Sequence, residues 1–303
     1  FSAMLGFGSV PVMISGSTPS MAGDGQDQYN KLMGMWGEVS SHPVNHSQRI
    51  TYEPKPTGVV LIADTHIGAV GVDYPRLLRD AELIASCAGA RVIHVGDLWD
   101  NMIPGKLLQA RLSEPGISID GERRAGEYWL SKIVSKLDAM CAGNHDLWTK
   151  ALAGRDIVLE ALIKLGAKCL YHTDEIYTEV VCGEQSFYLR GRHQWRRNTE
   201  SNPSACIERA YERDKHRLFS VGVGAHLHNG CLVREFNGAG QNIIYAVQLG
   251  TYKLVDGYST GRGFGTPRQE PCAVMIVYPD RPVRVVSGLE FGLDVLTHER
   301  GKY

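Results

Sequence analysis

The sequence lacks a surplus of charge of either sign. Its 303 residues hold 33 acidic side chains against 32 lysines and arginines, which gives a net charge of −1 and a pI of about 6.9. No global electrostatic field therefore favours nucleic acid or a membrane surface as a partner, although a local basic strip can still serve that purpose. With 43% hydrophobic and 21% charged residues, the composition is that of an ordinary globular protein with a substantial core.

Long apolar runs and paired cysteine motifs are also missing. No stretch of the sequence approaches the roughly 18 consecutive apolar residues of a transmembrane helix. Residues 1–28 contain no Lys or Arg and so lack the basic region of a secretory signal. The seven cysteines form no C-x-x-C pair and lie inside or beside apolar runs. We therefore expect reduced, mostly buried thiols in a cytoplasmic protein.

The apolar runs of the first half alternate with helical patterns. Runs at 59–63, 91–95 and 138–142 are typical of strands that are buried on both faces. Between them, the spacing of apolar residues predicts helices over 74–88 and 121–137. Strands and helices in this order favour parallel pairing with crossover connections.

The second half predicts a different sheet. Residues 176–181 and 185–190 predict a hairpin, and turn residues separate the later apolar runs. The further predicted strands lie near 218–223, 242–249, 272–278 and 283–287. We expect these strands to form a mixed, mainly antiparallel second sheet. Residues 1–56 are interpreted as a loosely structured N-terminal extension, and residues 57–303 as one domain.

Five blocks of metal-ligand residue types stand out, and four of them follow an apolar run. They are Asp64-Thr65-His66, Gly96-Asp97-Leu98-Trp99-Asp100, Gly143-Asn144-His145-Asp146, His193, and His226-Leu227-His228. The carboxyl ends of strands in an open α/β sheet meet at one edge, where binding sites form. A mixture of nitrogen and oxygen ligands without thiolate suits Mn, Fe, Zn or a similar divalent ion.

Each block has an ordinary structural explanation when it is taken alone. Asp-x-His is more often a turn or a cap, and Gly-Asp after a strand is a common turn. His193 beside arginines suits a surface position, and His226 and His228 suit one inward and one outward residue of a strand. The five blocks together, mostly at strand ends, are much harder to explain as coincidence. We therefore interpret them as one two-metal hydrolytic site.

In these blocks the chain resembles the calcineurin-like metallophosphoesterases, over roughly residues 58–230. The resemblance implies an α/β fold, a four-layer αββα sandwich with two mixed β-sheets and a dinuclear metal site at the strand ends. The ligands it implies are Asp64, His66 and His228 for one ion, Asn144, His193 and His226 for the other, and Asp97 as the bridge. The last block of the family usually reads Gly-His-x-His, whereas Ala225 stands in place of that Gly here. We expect a small backbone adjustment and no lost ligand.

The resemblance also implies a cofactor and a reaction. The cofactor is two divalent metal ions, with Mn favoured and Fe, Zn or Ni as alternatives. Two ions about 4 Å apart activate a water for in-line attack on a phosphoester. His145 is the imidazole in the pattern that is not needed as a ligand, so we assign it as the general acid, oriented by Asp100. Asp146 is interpreted as a residue that supports the ligands from behind or as a brace of its loop.

A local cationic strip with one aromatic side chain lies within residues 190–197. Four arginines accompany Trp195 there, with no acidic residue between them. We expect Arg192 to steady developing phosphate charge, and Trp195 with Arg196 to bind a stacked base and a polynucleotide backbone. A solvated surface position explains Arg192 nearly as well, and residues 208–217 suit a helix face with neighbouring opposite charges.

The residues within the blocks are similar to those of the DNA-repair exonuclease branch and of phage-type metallophosphoesterases. The Ser/Thr phosphatases of the family carry Asp-Arg-Gly and Gly-Asn-His-Glu, where this chain has Asp100-Asn101-Met102 and Asp146. We therefore expect hydrolysis of phosphodiester bonds, nuclease-like on DNA or RNA. A small-molecule phosphatase or a cyclic-nucleotide phosphodiesterase is the alternative, and a binding module with an inactive site is a third interpretation. No membrane partner is expected, and a homo-oligomer is left open.

Overall fold

The computed structural model describes residues 48–103, 117–197, 199, 201–254 and 270–303, together with residues 27, 30 and 33. The chain divides into two units, Phe1–His46 and Ser47–Tyr303. The three described residues of the first unit are helical. The described part of the second unit contains twelve β-strands and six α-helices, and it carries all five ligand blocks.

The first sheet contains the strands that precede the first three ligand blocks. Its parallel strands are β2 (Thr57–Ile62), β3 (Ala90–Val95), β4 (Leu137–Cys141) and β5 (Leu170–His172). Two antiparallel strands, β11 (Ala273–Val277) and β12 (Arg284–Ser287), complete the sheet beside β2. The predicted parallel pairing of the first three strands is confirmed.

The second sheet is also mixed. Its strands are β1 (Gln48–Tyr52), β6 (Ile176–Cys182), β7 (Gln185–Gly191), β8 (Val221–Gly224), β9 (Leu232–Asn237) and β10 (Ile243–Gln248). They lie in the order β1-β6-β7-β8-β10-β9. The predicted hairpin is present as β6 and β7.

Two predictions about this second sheet were wrong. Three of its pairings are parallel, those of β1 with β6, β7 with β8, and β8 with β10, so it is not mainly antiparallel. The strands predicted near 272–278 and 283–287 are β11 and β12, which belong to the first sheet. A local apolar run indicates that a strand forms, but the partner it pairs with is distant in the sequence.

Strand β1 lies within the residues predicted to be an N-terminal extension. It pairs in parallel with β6, from Gln48 opposite Thr178 to Tyr52 opposite Cys182. Ile50 is its one residue classed as buried, so the apolar pattern that marks a strand is weak here.

Helices cover the outer faces of both sheets. They are α1 (Tyr74–Ser86), α2 (Ile119–Ile133), α3 (Asn144–Ala153), α4 (Ile157–Lys164), α5 (Ala205–Arg213) and α6 (Leu289–Arg300). Helix α1 begins after Asp73, whose carboxylate accepts a hydrogen bond from Arg76 N at 3.1 Å. The two helices predicted in the first half are confirmed as α1 and α2, with shorter C-terminal ends.

Three apolar cores separate four layers. Val60 of β2 packs with Ala81 of α1 in a core between the first sheet and its helices. Leu61 points to the opposite face, where it packs with Val247 of β10 between the two sheets. Ile207 of α5 lies in a third core on the outer face of the second sheet. This helix–sheet–sheet–helix order is the predicted αββα sandwich, with two mixed sheets.

The described helices include none with the length and apolarity needed to cross a bilayer. All seven cysteines are free. The buried ones are Cys141, Cys182, Cys206 and Cys272.

Candidate metal centre

The ligand blocks meet at the carboxyl edge of the first sheet. Asp64 follows β2, Asp97 follows β3, and Asn144 begins α3 just after β4. Because these strands are parallel neighbours, their carboxyl ends lie at one edge. His193 follows β7 and His226 follows β8, and both contact this edge from the second sheet.

Two glycines allow the loops after β3 and β4 to approach each other. A Cβ atom at Gly143 would lie 2.0 Å from Asp97 Oδ1, and one at Gly96 would lie 2.6 Å from Gly143 N. Gly96 also has a φ of +87°, a conformation that L side chains rarely adopt. A side chain at either position would push Asp97 and Asn144 apart.

The backbone is strained at the candidate ligands. Among the described residues, positive φ angles at non-glycine positions occur at Asp64 (49°), His66 (43°), Asp97 (54°), His226 (75°) and His228 (54°), and otherwise at Asn101 and Arg197. Such conformations cost about 1–3 kcal/mol each and persist where the surrounding structure over-determines them. Their concentration at one sheet edge is typical of a functional site.

Asp64, His66, Asp97 and His228 form the first ligand group. Each offers one ligand atom, and these atoms lie within 4.8 Å of one another. His66 Nε2 lies 2.8 Å from His228 Nε2. It also lies 3.6 Å from Asp64 Oδ1 and 3.6 Å from Asp97 Oδ2. The other oxygen of Asp64, Oδ2, is held by the backbone N–H of His226 at 2.8 Å.

Asp97, His193 and His226 form the second group, which shares Asp97 with the first. His193 Nε2 lies 3.1 Å from Asp97 Oδ2 and 3.1 Å from Asn144 Oδ1. His193 Nδ1 lies 2.9 Å from the carbonyl oxygen of Val95, which only accepts, so Nδ1 carries a proton. In the neutral ring the lone pair of Nε2 then faces two oxygen acceptors, which repel it. A cation bound among these three atoms, or a proton on Nε2, removes that repulsion.

Two carboxylate oxygens at the centre are faced by imidazole nitrogens. Among the described residues, Asp64 Oδ1 and Asp97 Oδ2 are buried and have no hydrogen-bond donor other than those histidines, which donate only when the facing nitrogen carries a proton. An unsatisfied buried acceptor costs about 1–3 kcal/mol, and more when it is charged. Their surroundings of imidazole, carboxylate and amide atoms suit Mn, Zn or Fe. The residues present therefore fit two divalent cations, with Asp97 common to both positions.

The carboxylates raise the pKa of the imidazoles that face them. Burial alone would lower the pKa of His193, but Asp97 and Asp64 outweigh it and raise the value to about 10. Burial also opposes the protonation of His66, yet Asp100 and Asp64 raise its pKa to about 9. Burial would raise the pKa of Asp97, but His193 holds it well below its usual range. A cation that binds here must therefore displace protons.

His145 lies beside the first group. Its Nδ1 is 2.5 Å from the carbonyl oxygen of Asp100, so Nδ1 carries a proton, and Nε2 faces Asp97 Oδ2 at 4.0 Å. The ring packs edge-on against His66, with centroids 4.6 Å apart. Burial lowers the pKa of His145 to about 4, so the ring is neutral at pH 7 in the free protein. Ligand atoms of His66, Asp100 and His145 also lie within 4.8 Å of one another.

Asp100 contacts two histidines. Its backbone carbonyl orients the predicted one, His145, whereas its carboxylate faces His66. The carboxylate Oδ1 lies 3.3 Å from His66 Nδ1 and 3.0 Å from Lys253 Nζ. Burial would raise the pKa of Asp100, but His66 and Lys253 hold it well below its usual range. Asp100 thus faces the far side of a candidate ligand, a position that orients the imidazole.

Sequence reasoning missed two residues that support the site. Lys253 follows β10 in a stretch without a ligand block, so no local signal marks it. Asn101 follows the Gly-Asp block, which is its only sequence signal. Its Nδ2 donates to the carbonyl of His145 at 2.6 Å, and its Oδ1 accepts from Thr149 Oγ1 at 3.0 Å. Asn101 thereby fixes the first turn of α3.

Asp146 braces the loops, as predicted. Its carboxylate accepts from Gly143 N at 2.9 Å, from Leu98 N at 3.2 Å and from Trp99 N at 3.3 Å. Burial, reinforced by Asp97, raises the pKa of Asp146 to about 7. The side chain therefore ties the loop after β3 to the start of α3.

The cationic strip is partly committed to the fold. Arg190 pairs with Glu175 at 3.1 Å and with Asp214 at 2.8 Å, and its side chain is 7% exposed. Arg192 lies 3.5 Å from the same Glu175 and is 39% exposed. The acidic partner comes from outside the strip, so the strip alone did not reveal it. Arg196 is exposed.

Trp195 points into the core, and its predicted role is corrected. The side chain is 4% exposed, and its indole N–H donates to the carbonyl of Val223 at 2.8 Å. It packs in the outer core with Phe219, their ring centroids 6.1 Å apart. The ring therefore offers no face for a stacked base. The sequence placed this residue near a ligand block but did not show the direction of its side chain.

No family model matches the chain, and no curated protein matches it. Among solved structures, Vps29 of Chaetomium thermophilum is similar over 76% of this chain and 96% of its own, with 13% identity and a TM-score of 0.37. The nuclease MPE of Pseudomonas putida is similar over 75% of this chain and 87% of its own, with 16% identity and a TM-score of 0.33. Likenesses as distant as these say nothing about activity, which has to be judged from the side chains.

Proposed function

We propose that this chain is a two-metal phosphoesterase that hydrolyses phosphodiester bonds, nuclease-like on DNA or RNA. The observation that supports this most is the pair of ligand groups that share Asp97. The buried oxygens Asp64 Oδ1 and Asp97 Oδ2 lie at the centre of these groups and face imidazole nitrogens. Beside them His145 presents its Nε2, which makes no hydrogen bond with the residues that the structure describes.

The two groups divide the ligands as the resemblance to the calcineurin-like metallophosphoesterases implies. The residues that would hold the ions are Asp64, His66, Asp97 and His228 for one, and Asp97, Asn144, His193 and His226 for the other. Two divalent cations held there would neutralise phosphate charge and lower the pKa of an attacking water. Asp100 and the carbonyl of Val95 keep the ligand imidazoles in orientation.

His145 acts as the general acid in this proposal. Because the carbonyl of Asp100 holds the Nδ1 proton, the proton that can be transferred is the one on Nε2. Its transfer to the leaving oxygen produces the neutral Nδ1–H tautomer, which the same carbonyl already binds. A phosphate anion beside Nε2 raises the pKa from the free-protein value of about 4, since it favours the charged ring. Acid catalysis of this kind is worth about 10²–10⁴-fold in rate.

The preference for diesters has weaker support than the metal site. It depends on Arg192, a partly exposed cationic side chain directly before the candidate ligand His193, and on the exposed Arg196 three residues after that ligand. A polynucleotide backbone binds through such cations. The small-molecule phosphatase remains the alternative within the same chemistry.

The proposal is tested with a diester and a monoester substrate. The protein is first stripped of metal with a chelator, and Mn²⁺ is then added back. His145→Ala should slow hydrolysis of a dinucleotide, whose alkoxide leaving group needs a proton, by about 10²–10⁴-fold. We expect bis(p-nitrophenyl) phosphate to turn over when Mn²⁺ is added, and Asp97→Ala to abolish that turnover. Asp294→Ala and His298→Ala, exposed on α6, are matched controls that should leave it intact. Turnover of p-nitrophenyl phosphate alone would favour the phosphatase. Metal binding without turnover of either substrate would favour a binding module and contradict the proposal.

A further inference from the structure

Trp148 lies beside the candidate general acid. It is on α3, three residues after His145, and the two rings lie 4.0 Å apart at 34°. On its other flank His145 meets His66 edge-on. The side chain of His145 is 13% exposed, so the two neighbouring rings leave only a narrow approach to Nε2. The indole of Trp148 is thus one of the two rings in contact with the imidazole that would donate the proton.

The indole of Trp148 differs from the other tryptophans that the structure describes. Trp99, Trp129 and Trp195 are each at most 4% exposed. Their indole N–H groups donate to the backbone carbonyls of Glu122, Leu77 and Val223 at 3.1, 3.1 and 2.8 Å. Trp148 is only half-buried, and within the described part of the chain its N–H has no such partner. It therefore keeps an aromatic surface and a donor available to a ligand.

We infer that Trp148 is a specificity-determining residue that stacks on a nucleobase in the leaving group. The leaving oxygen must lie at His145 Nε2 to receive a proton, and whatever is esterified to that oxygen lies next to the indole. Aromatic side chains bind nucleobases in this way without reading their sequence. The inference rests on the proposed hydrolysis at the same site, and it names the substrate as a nucleotide diester. Trp148 takes the role that sequence reasoning gave to Trp195.

Three dinucleotides test the inference with the Mn²⁺-loaded 303-residue chain. They are thymidylyl-thymidine and its two analogues in which a tetrahydrofuran abasic sugar replaces one nucleoside or the other, so the reacting oxygens hardly change. In the unmodified protein, removal of the base on the leaving side should lower kcat/KM by roughly 10- to 100-fold. Trp148→Leu should bring that ratio close to one, and Trp148→Phe should keep most of it.

A purely structural role for Trp148 gives a different result. If the indole only holds His145 in place, Trp148→Leu lowers turnover of all three substrates alike and leaves the ratio unchanged, which would overturn the inference. Tyr128→Leu is the matched control, because that ring is exposed on α2 and lies over Lys132. It should change neither rate nor ratio. Circular dichroism and melting of each variant show that the fold is kept.

A binding measurement separates this inference from the proposed function. If the unmodified protein cleaves none of the dinucleotides, the diesterase proposal fails, and thymidine 3′- and 5′-monophosphate are titrated against inorganic phosphate. One of the two nucleotides should bind at least about tenfold more tightly than phosphate, and Trp148→Leu should remove that advantage. Equal binding of both nucleotides and phosphate by the unmodified protein would overturn the inference.

Discussion

The two ligand groups are held in place by different means. In the first group His66 faces the side chain of Asp100, which in turn pairs with Lys253. In the second group His193 is bound by the backbone carbonyl of Val95. A carbonyl within a buried strand stays when a side chain is replaced, whereas Asp100 and Lys253 can be removed. The two metal positions should therefore respond differently to substitution.

The support of the first group also spans the two sheets. Asp100 follows β3 of the first sheet, and Lys253 follows β10 of the second. Their side chains are 6% and 5% exposed, so the pair is almost wholly desolvated. Removing one partner of such a pair leaves an uncompensated buried charge, which is strongly destabilising. The first position thus depends on the docking of the sheets as well as on its own ligands.

The largest effect is expected at the residue common to both groups. Asp97→Asn removes a charged ligand from each position, so both ions should bind more than about 100-fold more weakly. This loss exceeds the roughly 10- to 100-fold loss that follows when a residue that only orients a ligand is replaced. Calorimetric titration of the chelated protein with Mn²⁺ measures both events. The control Asp294→Asn, exposed on α6, should bind two ions normally. One ion retained at its original affinity would show that Asp97 does not bridge.

A smaller and one-sided effect is expected from the outer residues. Asp100→Asn should lower the affinity for one ion by about 10- to 100-fold and leave the affinity for the other unchanged, because only His66 loses its orienting carboxylate. The same titration reads out the two affinities separately. Equal weakening of both ions would contradict the difference between the groups.

A substitution of Lys253 also tests the support of the first metal position. Lys253→Met removes one of two cationic partners of the buried Asp100 and leaves it the protonated His66, so it should cost up to about 3–5 kcal/mol of unfolding free energy. Urea unfolding of the metal-free variant measures that cost. The double change Asp100→Asn with Lys253→Met should recover a large part of it, and an unchanged cost in the double variant would show that Lys253 acts elsewhere.

What the sequence could predict was local. Asp64, Asp97 and Asn144 each follow a strand with an unmistakable apolar run, and parallel pairing then brings them to one edge. The resemblance supplied their partners among the histidines. By contrast, Lys253 is 153 residues from Asp100 in the sequence, and no block surrounds it. Only the paired sheets bring those two side chains together.

Side-chain direction was the second limit. The sequence placed Trp195 among arginines beside a ligand block, yet the ring turns into the outer core. Trp148 follows His145 at helical spacing, but its exposure becomes visible only when the packing of α3 is known. The partner of β11 was missed for a related reason, since its apolar residues suit either sheet.

The pH dependence of metal binding should distinguish the groups again. The pKa values of His66 and His193 in the free protein are raised to about 9 and about 10, so both rings are protonated at pH 7. Ligation needs the neutral rings, so about two protons should be released at pH 7, and affinity should rise until the pH passes these values.

Calorimetry in buffers of different ionisation enthalpy counts those protons. Asp100 is the first of the groups that raise the pKa of His66, so Asp100→Asn should reduce the number released from about two to about one. The proton displaced from His193 should remain. Metal binding without any proton release would show that the imidazoles are neutral before the ion arrives.

The raised pKa values of His66 and His193 also stabilise the metal-free fold below about pH 6.5, and that contribution should disappear as the pH rises through 9 to 10.

The smallest effect concerns the surface beyond the second group. Arg196 is exposed and follows His193 by three residues, so a strand bound across that group can reach it. In a His145→Ala background, which slows cleavage, Arg196→Ala should weaken binding of a single-stranded oligonucleotide several-fold. The slope of log affinity against log salt should fall by about 0.7, the value for one lost phosphate contact. Arg284→Ala, exposed on β12, should leave the slope unchanged. If Arg196→Ala does not alter the slope, Arg196 does not contact a phosphate of the bound strand. That result would contradict polynucleotide binding beside the second group and would leave the proposed metal-dependent hydrolysis untouched.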